Sequence, residues 1–177
     1  MAQGPAKTEL IRRHLEFLRF YPNSVEGNYN LGLAYAQAGQ NEEAISAFRK
    51  ALALRPTLVE AWINLGGIFF RRGELEACIE ANEKALEIAP DSVQALGNLA
   101  FALLQHGAWE RAAQVARRVL ELNPSSAVAH HHLAVSLYRK GESARALEHL
   151  REASRLGFEP DPLFKAELEG LCQAPGA

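Results

Sequence analysis

Apolar residues recur along this chain at helical spacing, in runs of about thirteen residues cut by glycine or proline. Between Thr8 and Tyr21, Leu10, Ile11, Leu15, Phe17 and Leu18 fall on one broad face, which predicts an amphipathic helix ending before Pro22. A run from Val25 stops at Gly39, and a second, with Ala44, Phe48 and Ala51 on its apolar side, stops at Pro56. The pattern then returns three times. Gly39, Gly73, Gly107 and Gly141 are thirty-four residues apart, and so are Pro22, Pro56, Pro90 and Pro124. Glycine past a helix end supplies a left-handed cap, and proline keeps the next helix from running on. Two ladders with one period predict four helix-turn-helix units, at 25–58, 59–92, 93–126 and 127–160. Their second helices are expected to begin near Asn41, Glu74, Trp109 and Glu142, with carboxylates in or near the first turn that suit the positive end of the helix dipole.

Residues 1–7 show no periodicity and are expected to be disordered. The segment 8–24 falls where a second helix would sit in the repeat, so it reads as a capping helix over the open N-terminal end. After Arg155 the turn changes to Gly157-Phe158-Glu159-Pro160, and Asp161 followed by Pro162 opens a last helix. That segment, 161–172, carries Leu163, Phe164, Leu168 and Leu171 and is expected to cap the final unit; a detachable helix serving a partner is the alternative. Residues 173–177 are a tail. An isolated pair of thirteen-residue helices is marginal in water. Stability must therefore come from stacking each pair on the next.

A thirty-four-residue helix-turn-helix unit with Leu-Gly or Leu-Ala early, a small residue after the turn and a late proline resembles the tetratricopeptide repeat. The matching residues of the first unit are Leu31, Gly32, Tyr35, Ala44, Phe48, Ala51 and Pro56; later units repeat them through Leu65-Gly66, Leu99-Ala100 and Leu133-Ala134. The sequence departs from the pattern at Asn82, where an aromatic is usual, at His130 in a bulky slot, and at Phe158 in place of proline. The resemblance implies an all-α fold, an α-solenoid of antiparallel helix pairs in a right-handed superhelix, whose first helices line a concave groove.

In that register the sixth residues of the units are Asn30, Asn64, Asn98 and His132. A carboxamide presents both donors and an acceptor, so such a ladder can bond an extended peptide main chain without reading its side chains. Asparagine before Leu-Gly is also common in the repeat's own consensus, which gives it a packing role instead. Three neutral hydrogen bonds supply roughly 3 kcal/mol net, against about 8 kcal/mol for micromolar affinity. Apolar contacts must provide the rest, and the same register turns Tyr29, Leu33, Ile63, Phe70, Phe101, Leu104, Val135 and Tyr138 toward the groove. Arg71, Gln105 and Arg139 stand at its edge, with His131 beside His132. Packing between adjacent first helices is the competing use for each of these apolar residues. One subclass of these repeats clamps acidic chaperone tails through Lys and Asn at the fifth and ninth positions of the first unit; here those positions hold Tyr29 and Leu33, so that clamp is absent.

Composition narrows the picture further. The formal net charge of -2 predicts no bulk attraction to nucleic acid or to an anionic membrane. No apolar run of about twenty residues is present, so no membrane insertion is expected. Met1 to Leu10 lacks the pattern of a secretory signal, which places the chain in the cytoplasm, or in the periplasm if a signal has been removed. The abundance of Ala, Leu and Arg suits a bacterial source. Cys78 and Cys172 lie far apart, and Cys78 falls in a small, tightly packed slot, which suits a buried reduced thiol.

His130-His131-His132 invites a metal, but successive helical residues point about 100° apart and cannot converge on one ion. His130 is expected to pack between helices, and His131 and His132 to line the groove, where protonation near neutral pH would modulate binding. His14, His106 and His149 fall in no cluster. No nucleophile with a base, phosphate-binding loop or paired carboxylate is defensible, so neither catalysis nor a cofactor is expected. The expectation is a noncatalytic module that binds a protein or peptide segment in its groove, acting as adaptor, assembly factor or targeting chaperone. The alternatives are a self-assembling scaffold that forms a homo-oligomer through groove or terminal helices, and an interaction domain of a larger system.

Overall fold

The computed structural model describes residues 5–173, which form ten α-helices and no strand. They divide into two compact bodies, one up to Pro90 and one from Asp91. The first holds α1 (Pro5–Phe20), α2 (Val25–Gln37), α3 (Asn41–Leu54), α4 (Val59–Arg71) and α5 (Leu75–Ile88). The second holds α6 (Val93–His106), α7 (Trp109–Leu122), α8 (Ala127–Arg139), α9 (Ser143–Arg155) and α10 (Pro162–Gln173).

Two boundaries differ from expectation. Residues 5–7, expected without structure, belong to α1, because proline suits a first helical position and Ala6 and Lys7 are good helix formers. Residues 1–4 and most of the expected tail, 174–177, lie outside the described residues; Gln173 is the last residue of α10.

Local chemistry sets the helix ends. Ser24, Ser92 and Ser126 precede α2, α6 and α8, and their hydroxyls accept from the backbone N–H of Gly27, Ala95 and Ala129. Asp161 does the same for α10, accepting from Leu163 and Phe164 at 2.8 and 3.1 Å. The turns after α2, α4, α6 and α8 each place a glycine at φ between 75 and 81°. A further tie recurs six residues after three of the four repeat prolines. Asn28, Trp62 and His130 each send a side-chain nitrogen to the carbonyl of Pro22, Pro56 and Pro124, at 3.1, 3.0 and 3.1 Å. Three residue types perform one task, which holds the incoming turn on the first helix.

Within the first body, α2 meets α3 so closely that a Cβ on Gly32 would lie 2.7 Å from the ring of Phe48. Phe48 is fully enclosed. The equivalent contact between α4 and α5 sets Gly66 against Asn82, also fully enclosed, whose Nδ2 bonds back to the Cys78 carbonyl at 2.8 Å. Cys78 is a buried free thiol, its pKa pushed up by burial. In the second body the core joins Ala113 and Ala116 of α7, Leu133 and Leu137 of α8, Leu147 and Leu150 of α9 and Leu168 of α10. Each leucine so enclosed contributes about 1.5–3 kcal/mol. Ion pairs stitch neighbouring hairpins at an offset of thirty residues: Arg72 to Glu42 in the first body, Lys140 to Glu110 in the second. Being largely exposed, they contribute little beyond register.

Candidate functional site

The four first helices are α2 and α4 in one body and α6 and α8 in the other. Helical periodicity puts the residues expected to meet a ligand on one side of each, and the bodies treat them differently.

In the first body Asn30 is exposed and Leu33 half-buried on α2, and Phe70 is half-buried and Arg71 exposed on α4. Asn64 is held in place. Its Nδ2 donates to the Glu60 carbonyl at 2.7 Å and to the Tyr29 hydroxyl at 3.1 Å. A carbonyl only accepts, so the nitrogen must be on that side and both of its hydrogens are committed. The expectation of a carboxamide offering donor and acceptor to a peptide fails here: Asn64 retains only its Oδ1. Tyr29 packs its ring on Phe48, with centroids 5.6 Å apart, and partial burial raises its pKa. Ile63, expected to face the groove, is buried at 7% exposure and belongs to the core. Gly67, one turn before Arg71, leaves open space; a Cβ there would meet only the Arg71 guanidinium, at 3.7 Å.

In the second body α6 presents Asn98, half-buried, Phe101, 39% exposed, and Gln105, exposed. A Cβ on Gly97 would meet nothing within 4 Å. Leu104 is buried, which corrects its placement in the groove. His132 is corrected too. It is buried at 8% exposure, stacked on Phe101 with planes 8° apart, and burial together with the neighbouring His131 pushes its pKa down to about 4. A ring so placed is neutral near pH 7 and does not serve as a groove titrant.

The other histidines also find partners within the chain. His131 stacks on Phe158, centroids 4.2 Å apart, and burial lowers its pKa. His130 and His149 meet Nδ1 to Nδ1 at 3.0 Å, so His149 belongs to a cluster after all. A carbonyl only accepts, so His130 Nε2 donates to Pro124 at 3.1 Å, and the Nδ1–Nδ1 contact needs one ring to donate and the other to accept. The three consecutive histidines thus point to three neighbours: His149, Phe158 and Phe101.

The chain's own C-terminal helix covers part of α8. Phe164 meets the edge of Tyr138, and the Tyr138 hydroxyl donates to Glu167. A depression of about 490 Å³ remains between the two helices, bounded by His131, Val135, Tyr138 and Arg139 on one side and Phe164 and Glu167 on the other. Arg139 is exposed, with its guanidinium 5.4 Å from the Trp109 ring and 5.8 Å from that of Tyr138. Trp109, Phe158, Phe164 and His149 were not singled out for this role. The thirty-residue offset that pairs Lys140 with Glu110 also pairs Arg139 with Trp109, and that is the signal that points to it.

Repeated helical hairpins with these packing contacts define an all-α protein of the α-solenoid class. The tetratricopeptide repeat family model matches residues 8–59, 29–93, 76–127 and 98–161, and the chain belongs to that family. Among solved structures it is similar to MamA 41-end from Desulfovibrio magneticus RS-1, at 25% identity over 86% of each chain with a TM-score of 0.78. It is also similar to a MamA RS-1 ArsTM double mutant, at 25% identity over 85% of this chain and 84% of that one, with a TM-score of 0.79. A third likeness, of fold, is to YrrB, described as a TPR protein with an unusual peptide-binding site; 19% of residues are identical over 93% of this chain and 84% of that one, with a TM-score of 0.79. No curated protein sequence matches the chain. Among the described residues no helix is long and apolar enough to cross a membrane. The family and fold are those of protein-protein interaction modules, generally noncatalytic ones.

Proposed function

We propose that this protein is a noncatalytic adaptor that binds a peptide segment of a partner protein on the exposed side of its first helices. The observation that carries the reading is Phe101, 39% exposed on α6 between Asn98 and Gln105, whereas Phe48 and Phe69 of the first two units are buried. Keeping an aromatic ring wet has a cost that a ligand's apolar side chain would offset. The first body supports it with Leu33 and Phe70 beside Asn30 and Arg71. Tyr138 and His131, engaged by α10 and Phe158, contribute less than their positions suggested. The test is affinity capture from native lysate with the intact protein and with Phe70→Glu combined with Phe101→Glu. The same partners must be retained by the first and lost by the second; equal recovery would overturn the reading.

A second reading, self-assembly, draws on α1. Leu15, Phe17, Phe20 and Tyr21 are 44, 44, 76 and 60% exposed, an apolar surface where the end of a repeat array ordinarily turns polar. Sedimentation over a hundredfold range of concentration separates the two, since a strict monomer throughout removes the scaffold.

A further inference from the structure

We infer that Tyr29 and Asn64 act together as a main-chain clamp, which takes one residue of an extended peptide by its N–H and its C=O. The inference rests on the peptide-binding reading above and assigns its specificity in the first body. The Glu60 carbonyl fixes the orientation of the Asn64 amide, since an oxygen in the Nδ2 position would face another oxygen at 2.7 Å. The second Nδ2 hydrogen goes to the Tyr29 oxygen. Two capacities are left over. Asn64 Oδ1 has no donor among the described residues, and the Tyr29 hydroxyl, already accepting from Asn64, keeps its own proton to give.

The pair therefore presents one acceptor and one donor side by side, each held by the other. In an extended chain the N–H and C=O of a single residue point to the same edge, and a hydrogen-bonded pair in an antiparallel sheet exchanges both. Tyr29 and Asn64 reproduce the partner strand's half of that exchange. The bond between them is also cooperative in the useful direction: a hydroxyl that accepts becomes a better donor. Tyr29 stands at the fifth position of its unit, where the other units carry Ile63, Gly97 and His131. No other unit has a hydroxyl there, so the clamp occurs once in the array and sets where along the ligand the main chain is gripped. It reads no side chain, and it excludes proline or an N-alkylated residue at the gripped position.

The experiment uses the full chain and a 12-residue peptide selected on it from a random phage-displayed library, with affinity measured by calorimetry. Each internal peptide amide is N-methylated in turn. One position is expected to lose at least tenfold in affinity for the wild type and to lose nothing further for Asn64→Ala. Tyr29→Phe, which keeps the ring on Phe48, is expected to weaken the unmodified peptide about fivefold, the worth of one net hydrogen bond, with helicity and melting temperature unchanged. A peptide that binds wild type, Tyr29→Phe and Asn64→Ala alike overturns the clamp and leaves the peptide-binding reading standing. A library that yields no binder to the wild type overturns both.

Discussion

The imidazole of His132 lies nearly parallel to the ring of Phe101, their centroids 5.6 Å apart and their planes inclined by 8°. The stack accounts for the first prediction. With a folded pKa of about 4 against an ordinary 6.5, His132 binds its proton more weakly folded than unfolded. The stability that neutral His132 contributes is thus fully present above pH 6.5 and is lost as pH falls toward 4. A shift of that size corresponds to about 3 kcal/mol when complete. His131 and His149 are also lowered by burial and act in the same direction. Thermal melts from pH 8 to 4.5 should show a falling midpoint below pH 6.5, and His132→Phe should reduce the fall. A midpoint that is flat over that window would contradict the burial of these rings.

Two glycines in first helices should respond oppositely to alanine. Gly32→Ala drives a methyl to 2.7 Å from the fully enclosed Phe48, so a loss of about 1–3 kcal/mol is expected. Gly97→Ala meets nothing within 4 Å and relieves the helix of a flexible residue, so a gain of about 0.5–1 kcal/mol is expected. Urea denaturation of the two variants side by side checks both signs.

Asn82 occupies the slot that holds Phe48 in the first unit, and its Oδ1 is buried without a partner. An unmet acceptor in the core costs about 1–3 kcal/mol. Its Nδ2 bond goes to the Cys78 carbonyl, which the helix already uses. Asn82→Leu, nearly the same in shape, should therefore raise the denaturation midpoint by about 1 kcal/mol equivalent. Chemical denaturation is the measurement, and a lowered midpoint would show that the amide has a role in the packing that its bonds do not reveal.

Changing Asn30, Asn64 and Asn98 together to alanine should weaken partner binding with helicity intact, as read by circular dichroism beside calorimetry. Singly, the structure ranks them. Asn64→Ala removes a held acceptor and the support of Tyr29 and should cost most, whereas Asn30→Ala touches an exposed residue with no side-chain bond among the described residues and should cost least.

The helical units were legible in the sequence because their signals are local. Glycine at a left-handed turn and proline after a last one act within four residues of where they stand, and repetition at thirty-four removed the ambiguity each has alone. Candidate ligand residues were legible only as positions on a face. Ile63 and Leu104 share the register of Phe70 and Phe101, yet they are buried, because a first helix turns a wide face inward and neighbouring positions divide between core and surface.

By itself, then, the sequence determined the repeat length, the order and approximate ends of the helices and the all-α class. These follow from backbone preferences and apolar periodicity, which short stretches of chain express on their own. Tertiary structure alone decided the state of the candidate ligand groups. It committed both hydrogens of Asn64, enclosed and neutralised His132, paired His130 with His149, and laid α10 against Tyr138. Each outcome depends on an atom supplied from a different helix, and neither a hydrogen bond nor a desolvation energy exists until that atom arrives.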